Sequence, residues 1–344
     1  MKKITMNDIA KHLGISINAV SLALNDRKGV SEDTRKKVLE AAQTMGYPDK
    51  KTRYAKTFRS HHLCVLMQDI YSGGPGFYGE ILHSLVKEAR NYYYDILLQH
   101  FNDANMIIPD CISSHRVVGI IVLGKIADHN IRALMSFPLV IIDHAPRTMN
   151  FNCIRTDNIS GGFMAASYLI DKGFSKIGFF GDPSYTISVR ERYYGFLEAL
   201  YHKAIVDFNQ TDAYVKRYSL LDKVEPLIMN MDALSISKIL QKKKALPEAY
   251  FCSNDQAAVT MIHALGQMNI KVPDDISVIG FDNGVLAEKV IPRLTTINVN
   301  RELMGKKAVE RMQRLIEGEG GEAEHTVLEV ALVERASAGK ITPS

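Results

Sequence analysis

Gly74-Pro75-Gly76-Phe77-Tyr78-Gly79 reads G-x-G-x-x-G and lies between a strand-like apolar run and a helix-like stretch. A dinucleotide fingerprint of that form places its first glycine at the end of the strand, where the backbone can meet a pyrophosphate at a helix N-terminus. Here Gln68 to Gly73 intervene. The acid that would take the ribose hydroxyls should close the next strand, yet that end reads Gln99-His100-Phe101, with Asp95 before it. A nucleotide-cofactor enzyme is therefore disfavoured, and the stretch reads better as a rim loop that offers Phe77 and Tyr78 to a cleft. Arg192 and Asp282 form a second candidate pair, each where a strand end meets a helix or turn. An arginine and a carboxylate can bracket a polyhydroxylated ligand by paired hydrogen bonds. The residues alone leave a second possibility open, a salt bridge in packing with Asp282 capping a local turn. The eleven histidines have no ligand spacing, and the four cysteines (64, 111, 153 and 252) have no C-x-x-C spacing and read as buried, reduced thiols. No H-E-x-x-H, G-x-S-x-G or Walker pattern is present. No metal, cofactor or enzymatic activity is expected.

The elements that would position these residues alternate. Apolar runs at 63–67, 96–98, 117–123, 139–142, 177–180, 250–252, 277–281 and 326–332 read as strands, and stretches at 78–90, 162–172, 192–201, 256–268 and 301–316 have helical periodicity. Such alternation implies parallel, doubly wound α/β structure, with too many units for one sheet. Two α/β subdomains are expected, with a ligand in the crevice at the carboxyl ends of their strands.

The first sixty residues differ. Thr5 and Asp8 make a capping-box pattern, Ile4 can staple onto Ile9, and Gly14 supplies a left-handed stop. Ser16 caps a second short helix carrying Val20, Ala23 and Leu24. Ser31 caps a third, 32–45, that buries Val38, Ala41 and Ala42 before Gly46-Tyr47-Pro48. Three short helices with a tight glycine turn suit a helix-turn-helix. Up to residue 60 there are thirteen Lys or Arg against six acids, a net of +7, while the chain as a whole is +4, leaving −3 on residues 61–344. Basic charge gathered at one end is a footprint for a polyanion, and DNA binding is favoured over a three-helix interaction domain. The basic stretch 49–62 is either a charged linker or a short helix that folds against DNA, with Phe58 able to wedge into a minor groove. The start, Met1-Lys2-Lys3, is unlike a signal peptide, and no apolar run approaches the ~18 residues of a membrane span, so a cytoplasmic protein is expected.

Taken in order, the blocks DIAKHLGIS–VS–ALN–VS–TR–KV–AA–GY, Pro75 to Leu82, Thr156-Asp157-Asn158, Ser188 to Phe196, Phe251 to Asp255 and Val272 to Asp282 resemble the lactose-repressor family of transcription regulators across nearly the whole chain. The resemblance implies a homodimeric repressor whose core is similar to periplasmic sugar-binding proteins. A small-molecule effector in the cleft, expected to be a sugar or sugar derivative, would control affinity for a double-stranded, pseudo-palindromic operator. A purine-type corepressor is the alternative, since purine relatives also carry Arg and Asp at these strand ends. The resemblance assigns operator reading to Ile17, Asn18, Ser21 and Leu22, with Thr5, Ser16, Asn25 and Lys28 as further contacts. It makes Phe58 the wedge, flanked by Ala55, Lys56 and Arg59. Many relatives carry Arg where this chain has Leu22, so the operator should differ there. For the effector it favours Arg192, Asp282 and Asn254, with Asp69, Phe77, Tyr78 and Ser188 weaker and Asp255 as a helix cap. The implied organisation is a helix-turn-helix domain at 1–48, a hinge at 49–62 and a core at 63–344. Within the core, one subdomain takes 63–160 plus 293–325 and the other 161–292 plus 326–340. The tail after Leu332 has a Gly and a Pro and no leucine heptads, so a dimer is expected rather than a tetramer.

Overall fold

A computed structural model describes residues 4–24, 29–45, 47, 61–71, 76–144 and 150–339. The N-terminal domain has three helices, α1 (Met6–Leu13), α2 (Ile17–Leu24) and α3 (Glu32–Thr44). Its ends are fixed by side-chain chemistry. Thr5 Oγ1 accepts from the Asp8 amide at 3.3 Å while Asp8 Oδ2 accepts from the Thr5 amide at 2.8 Å, closing the capping box. Gly14, at φ +65°, ends α1 in the left-handed region, and Ser16 Oγ then accepts from the Ala19 amide at 3.1 Å to start α2. Ser31 caps α3 in the same way. Ile9, Ala10, Val20, Ala23, Leu24, Val38, Ala41 and Ala42 form the small core, with Ile4 packed against it.

Among the described residues of the core, eleven strands form two sheets: β1 (His62–Gln68), β2 (Asp95–Phe101), β3 (Gly119–Leu123), β4 (Leu139–Ile142), β5 (Asn152–Thr156), β6 (Ile177–Phe180), β7 (Ala249–Cys252), β8 (Ser277–Asp282), β9 (Thr295–Asn298), β10 (His325–Leu328) and β11 (Ala331–Val333). The first sheet runs β10-β5-β4-β3-β1-β2 and is parallel throughout. The second runs β11-β9-β8-β7-β6 and is parallel except for the antiparallel edge strand β11. Helices on both faces explain why β3, β4, β6 and β7 are buried along their whole length and read as unbroken apolar runs.

The chain passes between the sheets three times, after β5, after β9 and between β10 and β11. This corrects the expected boundaries. β9 lies in the second sheet, paired Ile279↔Thr295, although residues from 293 were expected in the first. The run 326–332, expected as one strand, is two: β10 pairs with β5 in the first sheet and β11 with β9 in the second. β5 and β9, Asn-Cys-Ile-Arg-Thr and Thr-Thr-Ile-Asn, were not expected as strands because half or more of their residues are polar.

Two helices of the second subdomain, Asn158–Asp171 and Ile187–His202, cross unusually closely. A Cβ on Gly162 would overlap the Arg192 carbonyl, and one on Gly195 would overlap the Ile159 carbonyl. Glycine at both positions lets the backbones meet and so sets where Arg192 leaves its helix.

Candidate nucleic-acid face and ligand cleft

On the helical domain, α2 presents its first turn outward. Ile17 is 49% exposed, Asn18 is exposed, and Ser21 and Leu22 are half-buried. An exposed Ile at a helix start gains nothing from the fold, whereas it can meet a thymine methyl; Asn18 has the amide fork that reads an adenine edge. Thr5 and Ser16 are exposed, but their hydroxyls also serve the caps of α1 and α2. Leu22 lies against the turn at Gly29, where a Cβ would come within 3.1 Å of Leu22 Cδ1. Asn25, Lys28, Ala55, Lys56, Phe58 and Arg59 lie outside the described residues.

The cleft is built from strand ends of both sheets. Arg192 is 4% exposed and fully engaged. Its Nε donates to Asn158 Oδ1 at 2.9 Å and its Nη1 to the Ser253 carbonyl at 2.6 Å. Its Nη2 is 3.2 Å from Asp282 Oδ1, and the guanidinium lies 3.8 Å over the Phe281 ring. The guanidinium plane is thereby locked on one face and along one edge. Asp282 ends β8 at φ +110°, and Arg301 holds its carbonyl and that of Asn283 while pairing through Nε with Glu80 at 2.8 Å. Burial pushes the Asp282 carboxyl up to about 6 against the pull of Arg192 and Arg301. Asp282 Oδ1 has no hydrogen bond of good geometry, so the ion pair with Arg192 leaves acceptor capacity in the cleft.

On the other wall, Tyr78 Oη donates to Asp143 Oδ2 and Ser188 Oγ to Asp143 Oδ1, each at 2.9 Å. Asp143 follows β4 at φ +60°, and burial raises its carboxyl above the usual range, opposed by Arg192 and the two hydroxyls. Phe77 packs edge-on to Tyr78 with ring centroids 5.2 Å apart. Asp69 is exposed just beyond β1. The structure thus gathers Tyr78, Ser188, Arg192 and Asp282 around a residue sequence reasoning missed, Asp143. The signal was available, since Asp143 is the first residue after an apolar strand, as Asp282 is the last of one.

The helix cap expected of Asp255 is supplied by Asn254 instead. Asn254 Oδ1 accepts from the Ala257 amide at 2.7 Å and is itself the cap of helix Asp255–Gln267. Asp255 is a buried strut that accepts from Thr296 Oγ1 at 2.5 Å and the Gly284 amide at 2.7 Å. Burial and the neighbouring Asp282 push its carboxyl up to about 7. Glu225, also missed, is 5% exposed and pushed up to about 7 by burial and then by Asp182, with Arg192 opposing. Nothing local marks it, since its burial is imposed by distant segments. Gly76 caps helix Phe77–Asn91, and the single turn Asp69–Tyr71 stands between β1 and that helix, so no glycine sits at the strand's end. No cluster of three metal-ligating side chains occurs among the described residues, and none of their helices is long and apolar enough to cross a membrane.

Residues 5–49 match the profile of bacterial regulatory proteins of the lacI family, and residues 166–338 match a periplasmic binding protein-like domain. The chain belongs to the lacI family of bacterial regulatory proteins. This lacI-family chain is 29% identical over 334 residues to the HTH-type transcriptional repressor PurR of Histophilus somni (strain 2336), covering 95% of this chain and 96% of that one. Its fold matches the lac repressor dimer bound to operator and the anti-inducer ONPF, at TM-score 0.67 and 22% identity over 98% of this chain and 99% of that one. It also matches a periplasmic binding protein/LacI transcriptional regulator from Alkaliphilus metalliredigens QYMF complexed with D-xylulofuranose, at TM-score 0.64 and 25% identity, covering 80% and 99%. The lacI-family chain is a DNA-binding transcription regulator, with a helix-turn-helix joined to a periplasmic-binding-protein-like core.

Proposed function

We propose that this regulator represses transcription from a pseudo-palindromic operator, and that a sugar or sugar derivative between Arg192 and Asp282 sets its affinity for DNA. The carrying observation is the Arg192 constellation: a guanidinium stacked on Phe281 and paired with Asp282, at the ends of strands from which a polyol can be held by donors and acceptors together. The D-xylulofuranose in the Alkaliphilus regulator supports a sugar in this fold. Control requires that the ligand distinguish two arrangements of the subdomains. Contacts that join the subdomains supply the difference: Ser188 to Asp143, Lys125 Nζ to the Tyr185 carbonyl at 3.2 Å, and Arg301 between Glu80 and the end of β8.

The regulator acts in the cytoplasm as a C2 dimer paired through the core, so that two α2 helices meet successive half-sites. Leu234, Val285 and Ile291, large apolar side chains of the second subdomain that are at least half exposed, favour such pairing. The role is regulatory rather than catalytic, in keeping with relatives named as transcriptional repressors. A purine-type corepressor is the second reading, favoured by the 29% identity to a repressor named PurR over nearly the whole chain. A thermal-shift screen of sugars, sugar phosphates and purines decides between the two, because a cleft ligand stabilises the folded core by mass action. Stabilisation by sugars supports the first reading and stabilisation by purines alone replaces it. Stabilisation by neither contradicts both.

A further inference from the structure

Glu225 opens the short helix Glu225–Met229 and is almost wholly buried. An ionised carboxylate so placed is costly unless something donates to it. Among the described residues no hydrogen-bond donor serves it. The hydroxyl of its neighbour Tyr185 points to Met229 Sδ, at 3.4 Å. Its charged neighbours are Asp182, of the same sign, and Arg192. Arg192 is committed to Asn158, Ser253, Asp282 and the Phe281 face, so it has little left to offer. Asp182 Oδ1 is occupied by the Ser184 amide and hydroxyl at 2.8 and 2.6 Å, which ties that loop in place without relieving its charge.

Resting on the effector cleft proposed above, we propose that the effector carries a protonated amine and that Glu225, backed by Asp182, receives it. A hydroxyl would satisfy one acceptor and bring no opposite charge to Glu225 and Asp182. An ammonium group supplies three donors and the opposite charge in the same volume. The chemical class is therefore a small polyol bearing an amino group, its hydroxyls toward Asp282 and Asp143 and its nitrogen toward Glu225. Without such a group, the carboxyl avoids its cost by taking up a proton, which agrees with its raised position.

The experiment uses the full chain and matched probes, glucosamine against glucose and galactosamine against galactose, with adenine and hypoxanthine as neutral nitrogen bases. Melting shifts are read first, then calorimetric Kd. An amine probe should bind more tightly than its neutral partner, by about tenfold for one charge-assisted contact. Glu225→Gln should erase that preference, so that the amine probe and its neutral partner bind the variant with equal Kd. Asp182→Asn should reduce the preference in part, and it carries the test if Glu225→Gln fails to fold. Preference for a neutral sugar or base, or an amine preference that survives Glu225→Gln, overturns the inference while the effector cleft stands. If no probe of any class binds, the cleft reading falls and this inference with it.

Discussion

Ser188 and Asp143 meet across the cleft, the serine hydroxyl donating to Asp143 Oδ1 at 2.9 Å from a helix packed in the second subdomain to the end of a strand of the first. One short polar side chain thus links the two bodies whose relative placement the effector is proposed to control. Ser188→Ala leaves a half-buried carboxylate oxygen without its donor. It should lower stability by about 1–2 kcal/mol, as for a buried acceptor left unmade, measured by urea unfolding of the ligand-free protein. No change in the transition midpoint would mean that the contact is incidental.

Glu225→Gln tests the electrostatic cost of the cleft. The carboxyl lies at about 7 in the folded chain against an ordinary 4.5. Between those values the folded state holds a proton that the unfolded state has lost, so the wild type loses stability as pH rises through the window. The variant lacks that loss. Its advantage over the wild type should therefore grow from pH 5 to pH 8 by on the order of 1–3 kcal/mol, read from urea midpoints at both values. A constant difference would show that Glu225 does not titrate there.

Gly162→Ala places a methyl group against the Arg192 carbonyl. The two helices must part, at a cost of about 1–3 kcal/mol for an overpacked contact, and Arg192 moves with its helix. Loss of ligand-induced stabilisation along with the lowered midpoint is expected. Ligand binding unchanged at full strength would show that Arg192 does not depend on this crossing.

Leu22→Arg should change the preferred operator rather than abolish binding. Leu22 offers apolar contact only, while Arg seeks guanine O6 and N7, a pairing worth about 1–3 kcal/mol of discrimination. In vitro selection should return different consensus sequences for the two proteins. An identical consensus would place Leu22 away from the bases.

Local chemistry made the helical domain legible. Thr5 with Asp8, Gly14, Ser16 and Ser31 each act within a few residues, so the predicted caps and the buried Ile9, Val20 and Val38 agree with the structure. The central strands were legible as apolar runs. Sheet membership was not, because which sheet Thr295–Asn298 joins, or where 326–332 changes partner, depends on chain segments far away in sequence. The cleft divides in the same way. Asp282 was found from its place at a strand end, and Arg192, expected to open a helix, lies in the second turn of helix Ile187–His202. Asp143 owes its hydrogen-bond partners, and Glu225 its burial, to distant segments, and Asn254 and Asp255 differ in roles that adjacent residues of similar size cannot reveal.

The central claim is that the Arg192–Asp282 constellation in the core controls a DNA-binding domain at the other end of the chain. Its most direct test is operator binding by fluorescence anisotropy, with and without the best ligand from the thermal-shift screen, for wild type and Arg192→Met. Wild type should change its operator Kd by about tenfold or more on ligand addition, within the 1–3 kcal/mol usual for coupled sites. The variant should bind operator and show no response. An equal response in both proteins, or a ligand that stabilises the core without moving the wild-type Kd, would contradict it.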